Sequence, residues 1–261
     1  MKTSTIVLLA ALAGGLPALA QTAETPPPPQ RGTPGVASSR GVVKVSDLAD
    51  LTTGPRNADG AGGAGGAAPA APPPEGASPA PAQSFLGTLY DPAVPDAIRA
   101  YPMGAVGPHH QVTGVYGKML IRDRAGTLLR TVSFSNFWLP VAAGVDVFLG
   151  EHRLLYDPYA DRWMIMAVTL AANPNPSVLL AVSQTDDPTG AWNLYRVRGD
   201  IPNEVYPDVP RIGFNKNWIV VSTGMYRQND GFPVRFDSWA FNKTNAYAGG
   251  RGHVHALRLG R

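Results

Sequence analysis

Cysteine is absent from all 261 residues of the chain. No disulfide and no thiolate metal site can form, so a folded part has to be held together by burial and hydrogen bonding. Charged residues are also few, at 16% of the chain, and the formal net charge is only +3. The basic residues are scattered, without a basic run or interleaved aromatic residues, which argues against nucleic acid as a partner.

Aromatic residues are missing from the N-terminal third, because every Phe, Tyr and Trp lies at or after Phe85. Residues 21–84 are instead rich in Pro, Gly and Ala. Such a segment buries too little apolar surface to offset the entropy of ordering it. The sequence predicts a disordered linker over residues 21–84, with a short helical turn or docking motif at 42–51 as an exception, and a fold that starts at residue 85.

Long hydrophobic runs are missing as well. The apolar stretch at residues 6–12 follows Lys2 and precedes Ala18-Leu-Ala20, the small residues of a signal-peptide cleavage site. The stretch is shorter than the roughly 20 residues that a membrane span needs. The sequence therefore predicts a signal peptide over residues 1–20, a secreted or periplasmic protein, and no stable membrane insertion after cleavage.

Short apolar runs joined by tight polar turns fill the region from Arg153 to Thr223. The runs recur every ten to fifteen residues, too closely for crossover helices, which indicates antiparallel strands. They fall into three units of the size of a propeller blade, at about residues 103–138, 150–198 and 208–242. We expect an all-β fold over residues 85–250, a partial β-propeller of about three antiparallel blades, followed by a polar tail at 251–261.

A closed propeller usually needs about four to eight blades. Three blades leave apolar faces and strand edges uncovered, so the incomplete ring predicts self-association, a longer parent chain or a smaller stack of sheets.

Five motifs carry a resemblance to known proteins. They are Leu155-Tyr-Asp157, Asp161-Arg-Trp163, Ala181-Val-Ser183, Asp187-Pro-Thr-Gly190 and Pro210-Arg-Ile-Gly213, with Phe241-Asn-Lys243 as a companion. The pattern resembles a group of secreted bacterial β-propeller-like proteins of undefined function. The resemblance implies a propeller and brings no established activity with it.

The segment from Ser183 to Trp192 resembles the Asp-box hairpin of sialidase-type propellers. Its candidate residues are Asp186, Asp187, Gly190 and Trp192. A carboxylate in such a turn accepts bonds from following amides, glycine supplies a positive φ where one is needed, and the Trp packs beneath the hairpin. Because the box lies away from the active centre in those families, we interpret it as a structural turn.

Asp157 and Asp161 flank a tight turn, where we expect them to close the turn and pair with Arg162. They are too close in sequence to lie on opposite sides of a sugar, and calcium would need six to eight oxygens that no regular loop supplies. Calcium remains only a weak alternative, and no other cofactor is expected. The five histidines, His109, His110, His152, His253 and His255, are expected at the surface or at blade edges, without a zinc site.

Catalytic candidates are confined to Glu151, Asp208 and Arg211, which precede or begin the first strands of the second and third units. Charge at a rim is the simpler interpretation, and no nucleophile or phosphate-loop motif occurs. The sequence favours an exported, noncatalytic scaffold that binds a glycan, an envelope component or a protein partner. The alternative is a glycan-active hydrolase of sialidase-like or five-bladed type.

Overall fold

Antiparallel strands make up most of the described chain. The computed structural model describes residues 33–51, 101–143, 151–169, 175–199 and 204–259. Within them the strands are β1 (Thr33–Val36), β2 (Ser39–Lys44), β3 (Met103–Val106), β4 (His110–Val115), β5 (Lys118–Asp123), β6 (Leu128–Ser133), β7 (Arg153–Asp157), β8 (Arg162–Val168), β9 (Ser177–Ser183), β10 (Ala191–Arg198), β11 (Val205–Phe214), β12 (Trp218–Arg227), β13 (Pro233–Asn242) and β14 (His253–Leu259). Two helices, α1 (Phe134–Ala142) and α2 (Lys243–Tyr247), and a 3-10 turn at Val45–Asp47 complete the fold.

The strands form three open sheets, each built on a meander of four consecutive strands. The first sheet has the order β3-β4-β5-β6, the middle sheet β2-β10-β9-β8-β7 and the last sheet β1-β14-β13-β12-β11. All pairings are antiparallel. The prediction of an all-β, antiparallel fold is confirmed.

The middle sheet is buried on both faces, which explains why its strands lack alternation between apolar and polar residues. In β8, Trp163, Ile165 and Ala167 belong to a core shared with the first sheet and α1. Their neighbours Met164 and Met166 belong to a second core shared with the last sheet. Because successive side chains of a strand point to opposite faces, an uninterrupted apolar run fills both cores at once.

The turns follow from local chemistry. Between β4 and β5, Tyr116 and Gly117 both have positive φ, at 49° and 68°. This is the backbone of a two-residue hairpin turn whose twist matches the strands, and Gly117 takes it without steric cost.

The structure corrects the prediction of a disordered linker for residues 33–51, which we call the N-terminal strap. Within the excepted range 42–51 a short turn does occur, as the 3-10 turn Val45–Asp47, but it follows a strand. β1 pairs with β14 and β2 pairs with β10, so the strap supplies the outermost strand of two sheets. Val43 and Val45 are buried in the first core. The composition argument failed because it counted only the surface that the segment could bury alone, whereas an exposed sheet edge offers it a row of backbone partners. The rest of the predicted linker and the signal peptide lie outside the described residues.

The C-terminal residues also differ from the prediction. Residues 251–261 were expected to form a polar tail, but His253–Leu259 is the strand β14, which pairs with both β13 and β1. Val254 is buried while His253 and His255 are exposed. This alternation is typical of a strand with one face in solvent. It was missed in the sequence because the polar histidines on either side of Val254 resemble a tail.

The helix α1 was not predicted. Ser133 caps it by accepting a hydrogen bond from the Ser135 amide at 3.2 Å. Phe134, Phe137 and Trp138 are buried in the first core. In the part of the chain that the structure describes, no helix is long and apolar enough to cross a membrane.

Candidate functional site

The acidic hairpin between β9 and β10 is held by its own side chains. The Asp187 carboxylate accepts hydrogen bonds from the amide of Thr189 at 2.8 Å and from its hydroxyl at 2.7 Å. The Ser183 hydroxyl donates to the carbonyl of Thr185 at 2.6 Å and accepts from the amide of Trp163 at 2.8 Å. These bonds satisfy backbone groups that the tight turn takes out of the strand ladder.

Trp192 lies beneath this hairpin and is fully buried. Its indole N–H donates to the carbonyl of Pro188 at 3.0 Å, and its ring meets Phe137 of α1 edge to face. Asp186 contributes its carbonyl oxygen, which accepts the indole N–H of Trp163 at 2.8 Å. Both aspartates are therefore part of the construction of the turn, in keeping with the structural interpretation.

Gly190 differs in one detail from the expectation, because its φ is not positive. Its amide donates to the carbonyl of Asp187 at 3.2 Å, and a Cβ at this position would lie 3.3 Å from the same oxygen. Close approach of the backbone, and not a left-handed conformation, is the reason for glycine here.

Asp157 closes its turn, but it does not pair with Arg162 as predicted. Its carboxylate accepts the amide of Tyr159 at 3.0 Å and forms an ion pair with Lys243, with 2.5 Å between Oδ2 and Nζ. The Arg162 guanidinium donates instead to the carbonyls of Ala160 and Asp161. The sequence did not predict this partner because the two residues are far apart in it. Asp157 ends β7, whereas Lys243 begins α2, which follows β13.

Two tyrosines border these turns and have shifted ionisation. Burial, and to a smaller extent a hydrogen bond to Asp161, raises the pKa of Tyr156 to about 12. Burial, followed by a 2.6 Å hydrogen bond that its hydroxyl donates to Asp157, raises the pKa of Tyr247 far above its usual range. Both hydroxyls stay protonated near neutral pH and act as donors to carboxylates.

The catalytic candidates lie just before β7 and within β11, two strands that contact each other. Glu151 precedes β7, while Asp208 lies inside β11 and not before it, because the strand continues through a bulge between Asp208 and Arg211. Asp208 accepts the amide of Val209 at 2.7 Å, and Val209 has a φ of 51°. The side chain of Arg153 donates to the carbonyl of Pro210 at 3.0 Å and so joins the start of β7 to the bulge.

The histidines occupy different surroundings, and one corrects the prediction. His152 is buried, accepts the indole N–H of Trp138 at 3.0 Å and stacks on Phe134 with 3.6 Å between ring centroids. The helix α1 supplies both aromatic partners, so a missed helix concealed this environment. Across the described ranges, no three His, Asp or Glu side chains come together as a metal-binding group.

The candidate residues thus lie in three places: the acidic hairpin, the Asp157 turn and the bulge region of β7 and β11. No family model, curated protein or solved structure matches the chain. Any function therefore has to follow from the geometry of these side chains.

Proposed function

We propose that the chain is an exported, noncatalytic β-propeller-like scaffold that binds a glycan, an envelope component or a protein partner. The observation that carries the proposal is the use of its turn carboxylates. Asp157 is engaged with Lys243, Asp187 with Thr189 and Asp208 with the amide of Val209. An acid that holds a turn or a buried cation is a poor general acid or nucleophile, because chemistry would break the bond that positions it.

The propeller-like arrangement is supported by how the three meanders pack. The first and last sheets cover opposite faces of the middle sheet, and β3 and β11 both adjoin β7. First strands that gather in this way are typical of the inner side of a propeller. The arrangement fits about three blades that form an arc.

An arc also accounts for the free face of the last sheet. Val220 and Phe236 lie on the face opposite the second core, with 37% and 64% of their surfaces exposed. In a complete ring this face would meet another blade, so we propose that self-association or a further blade covers it.

The bulge region is the surface that we propose for ligand binding. It combines Arg211, which is exposed, with Asp208 and the guanidinium of Arg153. Fixed charges of both signs beside the first strands suit a polar ligand such as a glycan, because they offer donors and acceptors at set positions.

Binding can be tested on the chain from Gln21 onward, with the strap intact. Immobilised protein is exposed to purified peptidoglycan, lipopolysaccharide and a panel of neutral and anionic glycans, and affinity is measured by biolayer interferometry. For a polymer that binds, we expect Arg211→Ala to weaken affinity about tenfold, or ~1.4 kcal/mol. Lys216→Ala removes an exposed charge from the β11–β12 turn and serves as the control. Equal affinities of the two variants would reject the proposed surface, and no binding to any polymer would count against a glycan ligand.

The hydrolase remains the second candidate because the Arg153 bond to Pro210 joins the strand that follows Glu151 to the bulge that follows Asp208. Aryl glycosides provide its test, with Glu151→Gln and Asp208→Asn as variants. Turnover that disappears in both would favour the hydrolase over the scaffold. Turnover that is absent, or unchanged in both variants, would remove this acid pair from consideration.

A further inference from the structure

Lys243 and Asp157 form a buried pair between the middle and last sheets. Only 4% of the Lys243 side chain and none of the Asp157 side chain is exposed. From this geometry we propose that Nζ of Lys243 and Cγ of Asp157 join in an intramolecular amide bond, which would fasten β7 to the start of α2.

Aromatic rings pack around the pair, and the burial of both groups, not the rings themselves, disfavours the two charges. The Lys243 ammonium lies 5.0 Å from the ring centroid of Phe214, 5.7 Å from that of Tyr159 and 5.8 Å from that of Tyr247. Burying an ion pair costs the free energy of removing both ions from water, and their direct attraction offsets that cost only partly. Condensation replaces the two ions by a neutral amide and releases a water molecule, so the site no longer holds desolvated charge.

Each atom of the condensation has a partner in place. The Tyr247 hydroxyl donates to Oδ2 of Asp157 at 2.6 Å, and the Tyr159 amide donates to Oδ1 at 3.0 Å. The Lys243 ammonium donates to the carbonyl of Asn215 at 2.8 Å. The first donor stands at the leaving oxygen, the second at the oxygen that gains negative charge on attack, and the carbonyl can accept the single N–H that remains in the amide.

The reaction balances without an oxidant, a reductant or another reactant. A proton passes from the ammonium to the carboxylate, which gives an amine and a carboxylic acid. Nζ then attacks Cγ, the Cγ–Oδ2 bond breaks with Tyr247 protonating the leaving oxygen, and the nitrogen returns a proton to the tyrosine. The two protons lost by nitrogen leave with Oδ2 as one water molecule. Holding both groups in contact makes the step unimolecular, an advantage equivalent to an effective concentration of about 10⁵–10⁸ M in well-oriented systems.

Mass spectrometry tests the bond directly. The purified full chain is incubated at neutral pH, denatured and weighed, and we expect it to be one water molecule lighter than its composition requires. Trypsin should no longer cleave after Lys243, so a peptide of residues 236–251 should be found joined to one of residues 154–162. A folded chain with its full mass, cleaved normally after Lys243, would overturn the proposal.

Variants distinguish the chemistry from other losses of water. Lys243→Arg keeps the charge but removes the amine, and the mass of this variant should equal the full mass calculated from its own composition. Asp157→Asn leaves only ammonia to be lost at this pair, so loss of water from this variant would overturn the assignment to Asp157. Tyr247→Phe keeps the ring but removes the hydroxyl, and the bond should form at least tenfold more slowly in a mass time course after refolding. A Lys243→Arg chain that still loses water would overturn the assignment to this pair, and an unchanged rate in Tyr247→Phe would overturn the role of the tyrosine.

Discussion

The indoles of Trp163 and Trp192 donate hydrogen bonds to carbonyl oxygens of one turn, that of Asp186 at 2.8 Å and that of Pro188 at 3.0 Å. Both rings are fully buried in the core shared by the first and middle sheets. The acidic hairpin is thus fastened to the core by two indole N–H groups from below and held by the Asp187 carboxylate from within. A turn fixed in this way is a rigid part of the sheet and not a mobile loop.

The two neighbouring aspartates of the hairpin should differ in their effect on stability. Asp187→Ala removes the acceptor of two bonds from Thr189, and we expect a loss of about 1–2 kcal/mol in the free energy of unfolding. Asp186→Ala keeps the backbone carbonyl that Trp163 uses, and its loss should stay within about 0.5 kcal/mol. Urea unfolding of both variants measures the difference, and equal losses would show that the carboxylate of Asp187 does not hold the turn.

Gly107 and Gly213 offer a matched pair for packing. A Cβ on Gly107 would lie 2.8 Å from the Trp163 ring and 3.0 Å from the Tyr156 ring, whereas a Cβ on Gly213 would meet nothing within 4 Å. We expect Gly107→Ala to destabilise the fold by about 1–3 kcal/mol through overpacking. Gly213→Ala should be neutral or slightly stabilising, since it restricts the unfolded chain. Thermal unfolding that ranks the two variants in the opposite order would contradict this account of the site around Trp163.

Arg130 should be the main hydrogen-bonding contact between the end of the N-terminal strap and the first sheet. Arg130 of β6 donates to the carbonyls of Val45, Ser46 and Leu48. We expect Arg130→Ala to release residues 47–51, because three bonds to the strap are lost together, and to raise amide exchange there at least tenfold. The amides of Val45 and Ser46 keep their bonds to Gly190 and Thr189. β2 should stay protected, since its ladder with β10 is untouched.

Lys44→Ala is the control for the strap. It removes an ion pair with Asp47 in which both side chains are largely exposed, and such pairs contribute little to stability. Exchange that rises equally in both variants would show that Arg130 has no special part in holding the strap.

The strands and turns of the sheets could be predicted from the sequence because they depend on short local patterns of residues. Short runs rich in Val, Ile and Trp, such as Trp163–Val168, bounded by Asp, Pro, Asn and Gly, specify strands and turns without reference to the rest of the chain. The placement of Asp187 and Trp192 in a hairpin follows from the same local signals.

Long-range pairings could not be read in this way. The strap joins β10 and β14 across more than a hundred residues, and the Pro, Gly and Ala around it conceal its short strands. Lys243 is the partner of Asp157, while Arg162, the nearer cation in sequence, turns to backbone carbonyls. Backbone pairing at an edge and ion pairing in a core depend on which surfaces the fold brings together, and a single sequence does not state that.

Removing one member of the Lys243–Asp157 pair should cost more than removing both charges. Lys243→Met leaves the Asp157 carboxylate buried without its cation, and we expect a loss of about 3–5 kcal/mol. The double variant Asp157→Asn, Lys243→Met holds no buried charge. Its Asn oxygen can still accept from the Tyr159 amide, and its NH2 group can donate to the Tyr247 hydroxyl oxygen. Urea unfolding should therefore find the double variant more stable than the single one. The reverse order would mean that the carboxylate is solvated and not buried.

Tyr195 should contribute a loss of stability at high pH. Burial raises the pKa of its hydroxyl to about 12 from an ordinary value of 10.0, and the hydroxyl donates to the carbonyl of Ala246 at 2.7 Å. Below pH 10 the group is protonated in the folded and unfolded chains, so its full contribution is present. As the pH rises from 10 to 12 the unfolded chain loses this proton first, which favours unfolding by an amount on the order of 2 kcal/mol.

Tyr195→Phe cannot lose the proton, so its free energy of unfolding should decline less steeply over that range, although it starts lower at neutral pH. Tyr159→Phe, at an exposed ring, reports the effect of removing a surface hydroxyl. Denaturant titrations at a series of pH values measure the free energy of unfolding of each chain. If it declines equally steeply with pH in Tyr195→Phe and in the unchanged chain, Tyr195 does not cause the loss of stability at high pH.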